Sequence, residues 1–341
     1  MNTLSIAVIG NWGHTVDVLT QLEMLPHVRF VGVGGVFPGD DFSAWRTRFG
    51  KLADVPHFED YRQLLDRERP DVAIIGTRLD RISVIATEAA EAGCQLICEK
   101  PLAGNIHTLR ALRAVVRSRR AACIGMLANA DQQAFLAARE AVTGGLIGSI
   151  VQVQVRKTYK WGSRPEWFGD ATIYPGTIPW VGIHGFDILN FVTGLKPMAI
   201  TARHGNAAHP SHPGCQDHAE LLVELAGGTA ATMNIDYLRP ESAATHGDDY
   251  IRISGSAGEI EAFANRGERG VCQLVDSQGV RNLPLPSMGH TYEDYIAEVM
   301  ARRQDLLDNR TDAAFRVSYW SLLGHLAAET ARRQRVEAEA S

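Results

Sequence analysis

The chain lacks the marks of several protein classes. Its 341 residues hold only five cysteines, Cys94, Cys98, Cys123, Cys215 and Cys272. They are odd in number, scattered, and without paired zinc-type spacing, which argues against a disulfide framework and for reduced thiols. No apolar run approaches the roughly 18 residues that a membrane-spanning helix needs, so no membrane partner is expected. A basic surplus is also missing. Lys and Arg number 34 against 39 Asp and Glu, leaving a formal charge of −5, and nucleic acid is therefore not an expected partner. The strand-like Leu4-Ser-Ile-Ala-Val-Ile9 comes almost at once, with no basic leader or cleavage pattern before it, so a cytoplasmic location is expected. There is no internal repeat and no low-complexity linker.

What is present reads as two domains, in line with the ~150-residue prior. Short apolar runs at 6–9, 30–33, 72–75, 95–98 and 122–126 alternate with helix-compatible stretches at 16–25, 50–66, 82–92 and 105–118. This is the βαβ alternation of a doubly wound α/β domain, expected over 1–124. After a helix pattern at 134–142 the texture changes. Residues 149–157 alternate, with Val151, Val153 and Val155 on one face, and strand-like runs follow at 220–225, 229–237, 250–254, 259–264 and 271–275 with Gly turns between. An α+β domain with a largely antiparallel sheet is expected over 125–341. Its closing helices, at 292–305 and 311–335, are free to pack back on the first domain.

The first strand runs into Gly10-Asn11-Trp12-Gly13-His14-Thr15. A dinucleotide fingerprint needs glycines there, so that the turn is tight, the backbone approaches the pyrophosphate, and a helix N-terminus points at its charge. Only two glycines are present, at unusual spacing. The second strand ends in Val31-Gly-Val-Gly34-Gly35-Val-Phe37, without the acidic residue that would hold the ribose hydroxyls of NAD. Asp40 and Asp41 come a few residues late, and Arg46 and Arg48 would meet a 2′-phosphate only if the next helix swung close. NAD and NADP both stay open. After the third long run stands Thr77-Arg78, where Arg78 is either a cofactor or substrate contact or a solvated loop arginine. The 95–98 run stops at Glu99-Lys100-Pro101. Parallel sheets place ligands outside the carboxyl ends of their strands, so Lys100 is placed to face one.

The order of these pieces, followed by Gly145-Leu-Ile-Gly148 and Gly182-Ile-His184-Gly-Phe-Asp187, resembles the Gfo/Idh/MocA oxidoreductases (glucose-fructose oxidoreductase, inositol dehydrogenase and relatives) along nearly the whole chain. The resemblance implies a Rossmann domain followed by an open-sheet domain that also makes subunit contacts, hence a homodimer or homotetramer through the second sheet. It implies an NAD or NADP cofactor against Gly10, Asn11, Trp12, Gly13, His14, Thr77, Arg78, Glu99 and Lys100. The reaction implied is hydride transfer at a secondary hydroxyl or ketone of a sugar, inositol or related polyol, with Lys100 sharing the hydroxyl proton, Glu99 orienting it, and His184 as a second acid–base group. The family's aspartate four residues before that histidine is here Trp180, read as an apolar wall beside the substrate, with Asp187 an orienting partner of His184. The loop Tyr159-Lys160-Trp161-Gly-Ser-Arg164-Pro-Glu-Trp167 suits either a sugar, through Tyr159, Arg164 and Trp167, or a subunit contact. His204, His209, His212 and Cys215 cluster in a Pro/Gly loop close to Asp217 and His218, in no spacing that closes a metal site, so no metal is expected. His246, just before the 250–254 strand, is a weaker substrate-side candidate. The departures keep two other readings open: a non-catalytic relative that binds a sugar or partner protein, and an enzyme that recycles a tightly held cofactor in an epimerase, hydrolase or dismutase reaction.

Overall fold

The apolar runs of the first half become strands for the reason their composition suggests: Ile6, Ala7, Val8 and Ile9 are completely buried, as are Val72 to Ile75 and Leu96 to Cys98, the pattern of parallel strands covered on both faces. A computed structural model of the chain describes residues 3–337. Strands β1 (Leu4–Ile9), β2 (Val28–Gly34), β3 (His57–Phe58), β4 (Val72–Ile75), β5 (Gln95–Cys98) and β6 (Cys123–Gly125) form one six-stranded sheet in the order β3-β2-β1-β4-β5-β6. Every pairing in it is parallel, which is the dinucleotide-binding order. The connecting helices are α1 (Thr15–Leu22), α2 (Ser43–Arg48), α3 (Tyr61–Glu68), α4 (Ile82–Glu91) and α5 (Ile106–Arg119). Asp60 caps α3 by accepting the Arg62 N–H at 2.9 Å, and Asn105 caps α5 by accepting the Thr108 N–H at 2.9 Å. The helix expected over 50–66 is corrected: a short 3₁₀ turn and strand β3 precede α3 there.

In the second sheet β7 (Ile150–Lys160) lies between β10 (Ala230–Arg239) and β11 (Gly247–Gly255). The remaining strands are β8 (Pro197–Gly205), β9 (His218–Leu225), β12 (Gly258–Phe263), β13 (Val271–Asp276), β14 (Gly279–Asn282) and β15 (Gln334–Arg335). The nine strands run β14-β13-β12-β11-β7-β10-β9-β8-β15, and β7 with β10 is the one parallel pair among them. Helices α6 (Gln133–Thr143) and α7 (Ile183–Thr193) cover one face. The other face carries Gln152, Gln154, Arg156, Glu220, Leu222 and Asn234 at its alternate positions, each exposed or half-buried.

Contacts divide the chain into two units. One ends at Met126 and takes up His290–Ser318 again; the other holds Leu127–Gly289 and resumes at Tyr319. The break expected at 124 thus falls at Met126, and 290–318 leave the second domain for the first. Within the first unit, α8 (Thr291–Met300) lies against the β5 and β6 side, where the Tyr295 hydroxyl reaches the Leu96 carbonyl at 3.2 Å and the Ala122 carbonyl at 3.1 Å. The two closing helices expected at 292–305 and 311–335 are instead α8 and a single long α9 (Gln304–Thr330), after which the chain returns as strand β15.

Candidate active site

In the first unit three glycines draw three strand ends together. Gly10 and Gly13 take positive φ angles of 75° and 80°, which a side chain would resist. A Cβ on Gly10 would come 2.5 Å from the Gly76 carbonyl oxygen, and one on Gly76 would overlap Thr15 and the Trp12 carbonyl. Gly76 therefore supplies the close approach that a third glycine of the turn would otherwise serve, and sequence reasoning missed it because it sits on β4's exit. Trp12 N–H donates to the Gly76 carbonyl at 2.9 Å. The first turn of α1 has no side-chain cap, so its N-terminus faces the turn as a pyrophosphate would require.

Under that turn lies Glu99, fully buried at the end of β5. Its carboxylate accepts the His14 backbone N–H at 2.6 Å, lies 3.0 Å from His14 Nδ1, and accepts the Lys100 N–H at 2.8 Å. Burial pushes the Glu99 carboxyl up, but the His14 ring and its hydrogen bonds, with the Lys100 charge, outweigh it and hold the group below its ordinary range. A Cβ on Gly13 would overlap this carboxylate. Lys100 follows, only 1% exposed, in a cis peptide with Pro101. Asn11 donates to the Asp41 carbonyl at 2.9 Å and Thr77 is buried. Arg78 forks onto Asp80 at 2.6 and 2.9 Å and lies over the Phe37 ring at 4.5 Å.

The late acids are occupied locally. Asp40 accepts the N–H groups of Val36 and Phe37 at 2.8 and 3.0 Å, and Asp41 accepts the backbone N–H and the hydroxyl of Ser43. Arg46 donates to the Val55 carbonyl and Arg48 lies over the Phe49 ring.

The second unit holds a separate polar group. His184 and Asp187 share a face of α7 one turn apart, as i and i+3 residues do. Asn129, in a short turn before α6, joins them: its Nδ2 donates to Asp187 Oδ2 at 2.8 Å and lies 3.4 Å from His184 Nδ1. Burial, with the Asp131 charge, pushes the Asp187 carboxyl up to about 6 against the pull of the Asn129 hydrogen bond and of Lys157. Lys157, 3% exposed, pairs with Asp249, 8% exposed, at 2.5 Å. The two stand opposite each other in the β7–β11 register, where Ile251 faces Val155 and Ile253 faces Val153. Burial would lower the Lys157 ammonium, but Asp249 and Tyr159 hold it above its ordinary range. Asn129, Lys157 and Asp249 went unrecognised in the sequence; the signal for Lys157 was a lysine standing in the buried phase set by Val153 and Val155.

Tyr159 continues that phase and stacks on His246 at 5.0 Å and Tyr237 at 6.4 Å. Burial, with the nearby Arg164 and Lys160 charges, lowers the His246 imidazole. The Arg164 guanidinium lies 4.6 Å over the Tyr237 ring and 5.6 Å over Phe168. Trp167 is half-buried and tilted against Phe168 at 4.7 Å. Trp180 sits in a wide turn, Ile178–Gly182, that leads into α7. It is 6% exposed and meets Phe168 edge-on at 6.2 Å. The His204 loop also differs from expectation. His204 stands on β8, the buried Cys215 thiol lies by Thr177 at 3.9 Å, His209 stacks on Trp161 at 3.9 Å, and His209 and His218 both turn to Asp217.

Residues 135–261 match the GFO/IDH/MocA C-terminal domain, and residues 39–125 match an oxidoreductase family with an NAD-binding Rossmann fold. Over 199 residues the chain is 25% identical to an inositol 2-dehydrogenase of Rhizobium meliloti, covering 58% of each protein. Against a second inositol 2-dehydrogenase, of Saccharopolyspora erythraea, it is 24% identical over 50% of this chain and 49% of that one. The chain thus spans about half the length of the curated relatives it matches. Among solved structures, a Thermotoga maritima protein described as a candidate oxidoreductase is similar with a TM-score of 0.90 at 28% identity, over 98% of this chain and 100% of that one.

Proposed function

As the chain belongs to the Gfo/Idh/MocA oxidoreductase family, we propose that it is an NAD(P)-dependent dehydrogenase acting on a secondary hydroxyl or ketone of a sugar, inositol or related polyol. The observation that carries this reading is the Glu99–Lys100 junction. It buries a lysine at the carboxyl end of a central parallel strand, tied through Glu99 to a glycine turn and an uncapped helix N-terminus. The turn fits a nicotinamide dinucleotide: Gly10, Gly13 and Gly76 let the turn close tightly on the strand ends beneath it, and Asn11, Trp12, His14, Thr77 and Arg78 would hold the cofactor. When bound, the nicotinamide supplies the hydride acceptor or donor. With the ribose acids and arginines locally engaged, the choice of NAD or NADP goes to measurement.

Lys100 Nζ takes the carbinol proton on oxidation and returns it on reduction, while Glu99 fixes the lysine's backbone and balances its charge. His184 acts as the second acid–base group, with Asn129 and Asp187 setting its orientation. Tyr159, Arg164 and Trp167 offer faces and donors to the sugar, and Lys157 with Asp249 keeps Tyr159 in place. Trp180 supports Phe168 from behind. The open face of the second sheet is where copies of the chain would meet as a dimer or tetramer, which light scattering after gel filtration measures. No described helix is long and apolar enough to cross a membrane.

Turnover tests the reading. Lys100→Ala should lower kcat by about 10²- to 10⁴-fold, the range for losing a positioned acid–base group, with NADH affinity nearly unchanged. An active Lys100→Ala protein removes Lys100 from the chemistry. Failure of both NADH and NADPH to bind at millimolar concentration puts the sugar- or partner-binding reading first.

A further inference from the structure

Three side chains of the second unit converge without a role in the proposed reaction. His204 comes from β8, and His325 and Glu329 stand i and i+4 on α9, on one helix face. Nε2 of His204 lies 2.9 Å from Glu329 Oε1, and Nε2 of His325 lies 3.9 Å from the same oxygen. One ligand atom from each residue lies within 4.8 Å of the others. The two rings sit 5.2 Å apart at 58°, and the backbone at Gly176 presses on His325, where an added Cβ would come 2.6 Å from Nδ1. Nδ1 of both rings is buried with no hydrogen-bond partner. The nitrogens that converge on the glutamate are the Nε2 atoms, one from each ring.

We propose that His204, His325 and Glu329 form a Zn²⁺ site whose coordination is completed by water. Two imidazole nitrogens and one carboxylate oxygen are a donor set that zinc accepts. Tetrahedral bonds of ~2.0–2.1 Å put neighbouring ligand atoms about 3.3 Å apart, and the observed 2.9 and 3.9 Å lie on either side, so small rotamer shifts close the site. Burial, the first cause for each ring, lowers both imidazoles from their ordinary range, which favours the neutral form that ligates. The Glu329 side chain is 54% exposed and gives the ion access. Occupied, the site would clip the end of α9 to β8, next to the place where β15 pairs with Ala199 and Ile200. It is independent of the dehydrogenase reading.

Full-length protein stripped with a chelator and titrated with Zn²⁺ by calorimetry should take one ion per chain at this site, and Co²⁺ in its place should give tetrahedral visible absorption. His325→Ala and the surface variant Glu329→Gln each remove a direct ligand. Both should weaken Zn²⁺ binding by more than the ~10- to 100-fold typical of losing an outer-shell partner, and Zn²⁺ should raise the unfolding temperature of the parent but not of His325→Ala. His209→Asn, from the loop that does not converge, should bind as the parent does. The proposal is overturned by a parent that takes up no Zn²⁺, by a smaller loss in either ligand variant, or by loss of binding in His209→Asn.

Discussion

Asp187→Asn should make the protein gain stability, relative to the parent, as pH rises from about 4 to 7. Burial and the Asp131 charge push the Asp187 carboxyl from its ordinary 3.8 up to about 6, although the Asn129 hydrogen bond and Lys157 pull the other way. Between those two values the native chain keeps a proton that the unfolded chain has released, so stability falls with pH across that window and levels off above about 6. The rise corresponds to about 3 kcal/mol against the ionised native form. The parent's own curve does not isolate this. Burial lowers the imidazoles of His204, His246 and His325, the last to about 4, and such groups add stability as pH rises toward the ordinary histidine value. The difference between parent and variant cancels them. Asparagine keeps the shape and can still accept from Asn129, so urea unfolding at pH 4, 5, 6 and 7 should show the variant gaining up to about 3 kcal/mol on the parent, mostly between pH 4 and 6. A difference that is flat with pH, or that grows in the parent's favour, refutes the reasoning.

Asp249→Asn leaves Lys157 buried with its charge uncompensated and should cost about 3–5 kcal/mol in urea unfolding, while Lys157→Met combined with Asp249→Leu should recover most of the loss. Because Asp249 and Tyr159 raise Lys157 against burial, the parent's contribution is complete below the ordinary lysine range and constant from pH 6 to 8, whereas the variant's lysine, with burial less opposed, loses its proton more readily, so the deficit should be no larger at pH 8 than at pH 6. Gly13→Ala meets the Glu99 carboxylate at a φ of 80° and should cost about 1–2 kcal/mol, read as roughly a tenfold loss in NADH affinity by fluorescence titration. Trp180→Phe should cost about 1–2 kcal/mol by thermal unfolding, whereas Trp180→Asp, which buries an unpaired carboxylate beside Phe168, should cost several times more.

How much of this was legible depended on distance along the chain. The first sheet could be read because each of its long strands is an uninterrupted apolar run, buried on both faces, and Lys100 because it directly follows one. The two-residue β3 and β15 carry too little pattern to see, and the alternation of β8 was masked by the histidines and Pro/Gly after it. The glycine turn looked deficient because its third close approach comes from Gly76, far down the chain. Trp180 was legible only in part, because register with a family motif says which residue replaces an aspartate and nothing about which way the replacement turns; its ring meets Phe168 edge-on.

The missed polar residues have a common physical cause. A lysine in the buried phase of a strand, taken alone, argues against that phase, because an uncompensated charge there is prohibitive. Lys157 was read as the last residue of the 149–157 alternation and Asp249 as part of the lead into the 250–254 strand, so neither stood out as a buried charge. Each makes sense only with the other, and 92 residues separate them. Once β7 and β11 are placed in register, the two exceptions cancel into one ion pair at the end of an apolar face, where β10 carries Tyr237 and β7 carries Tyr159. The same holds for Asn129, unremarkable until Asp187 stands 2.8 Å away. Opposite charges that break the buried phase of two strands are thus stronger evidence together than either is against its own strand. They indicate that the strands pair and that a polar group is gathered where the apolar face ends.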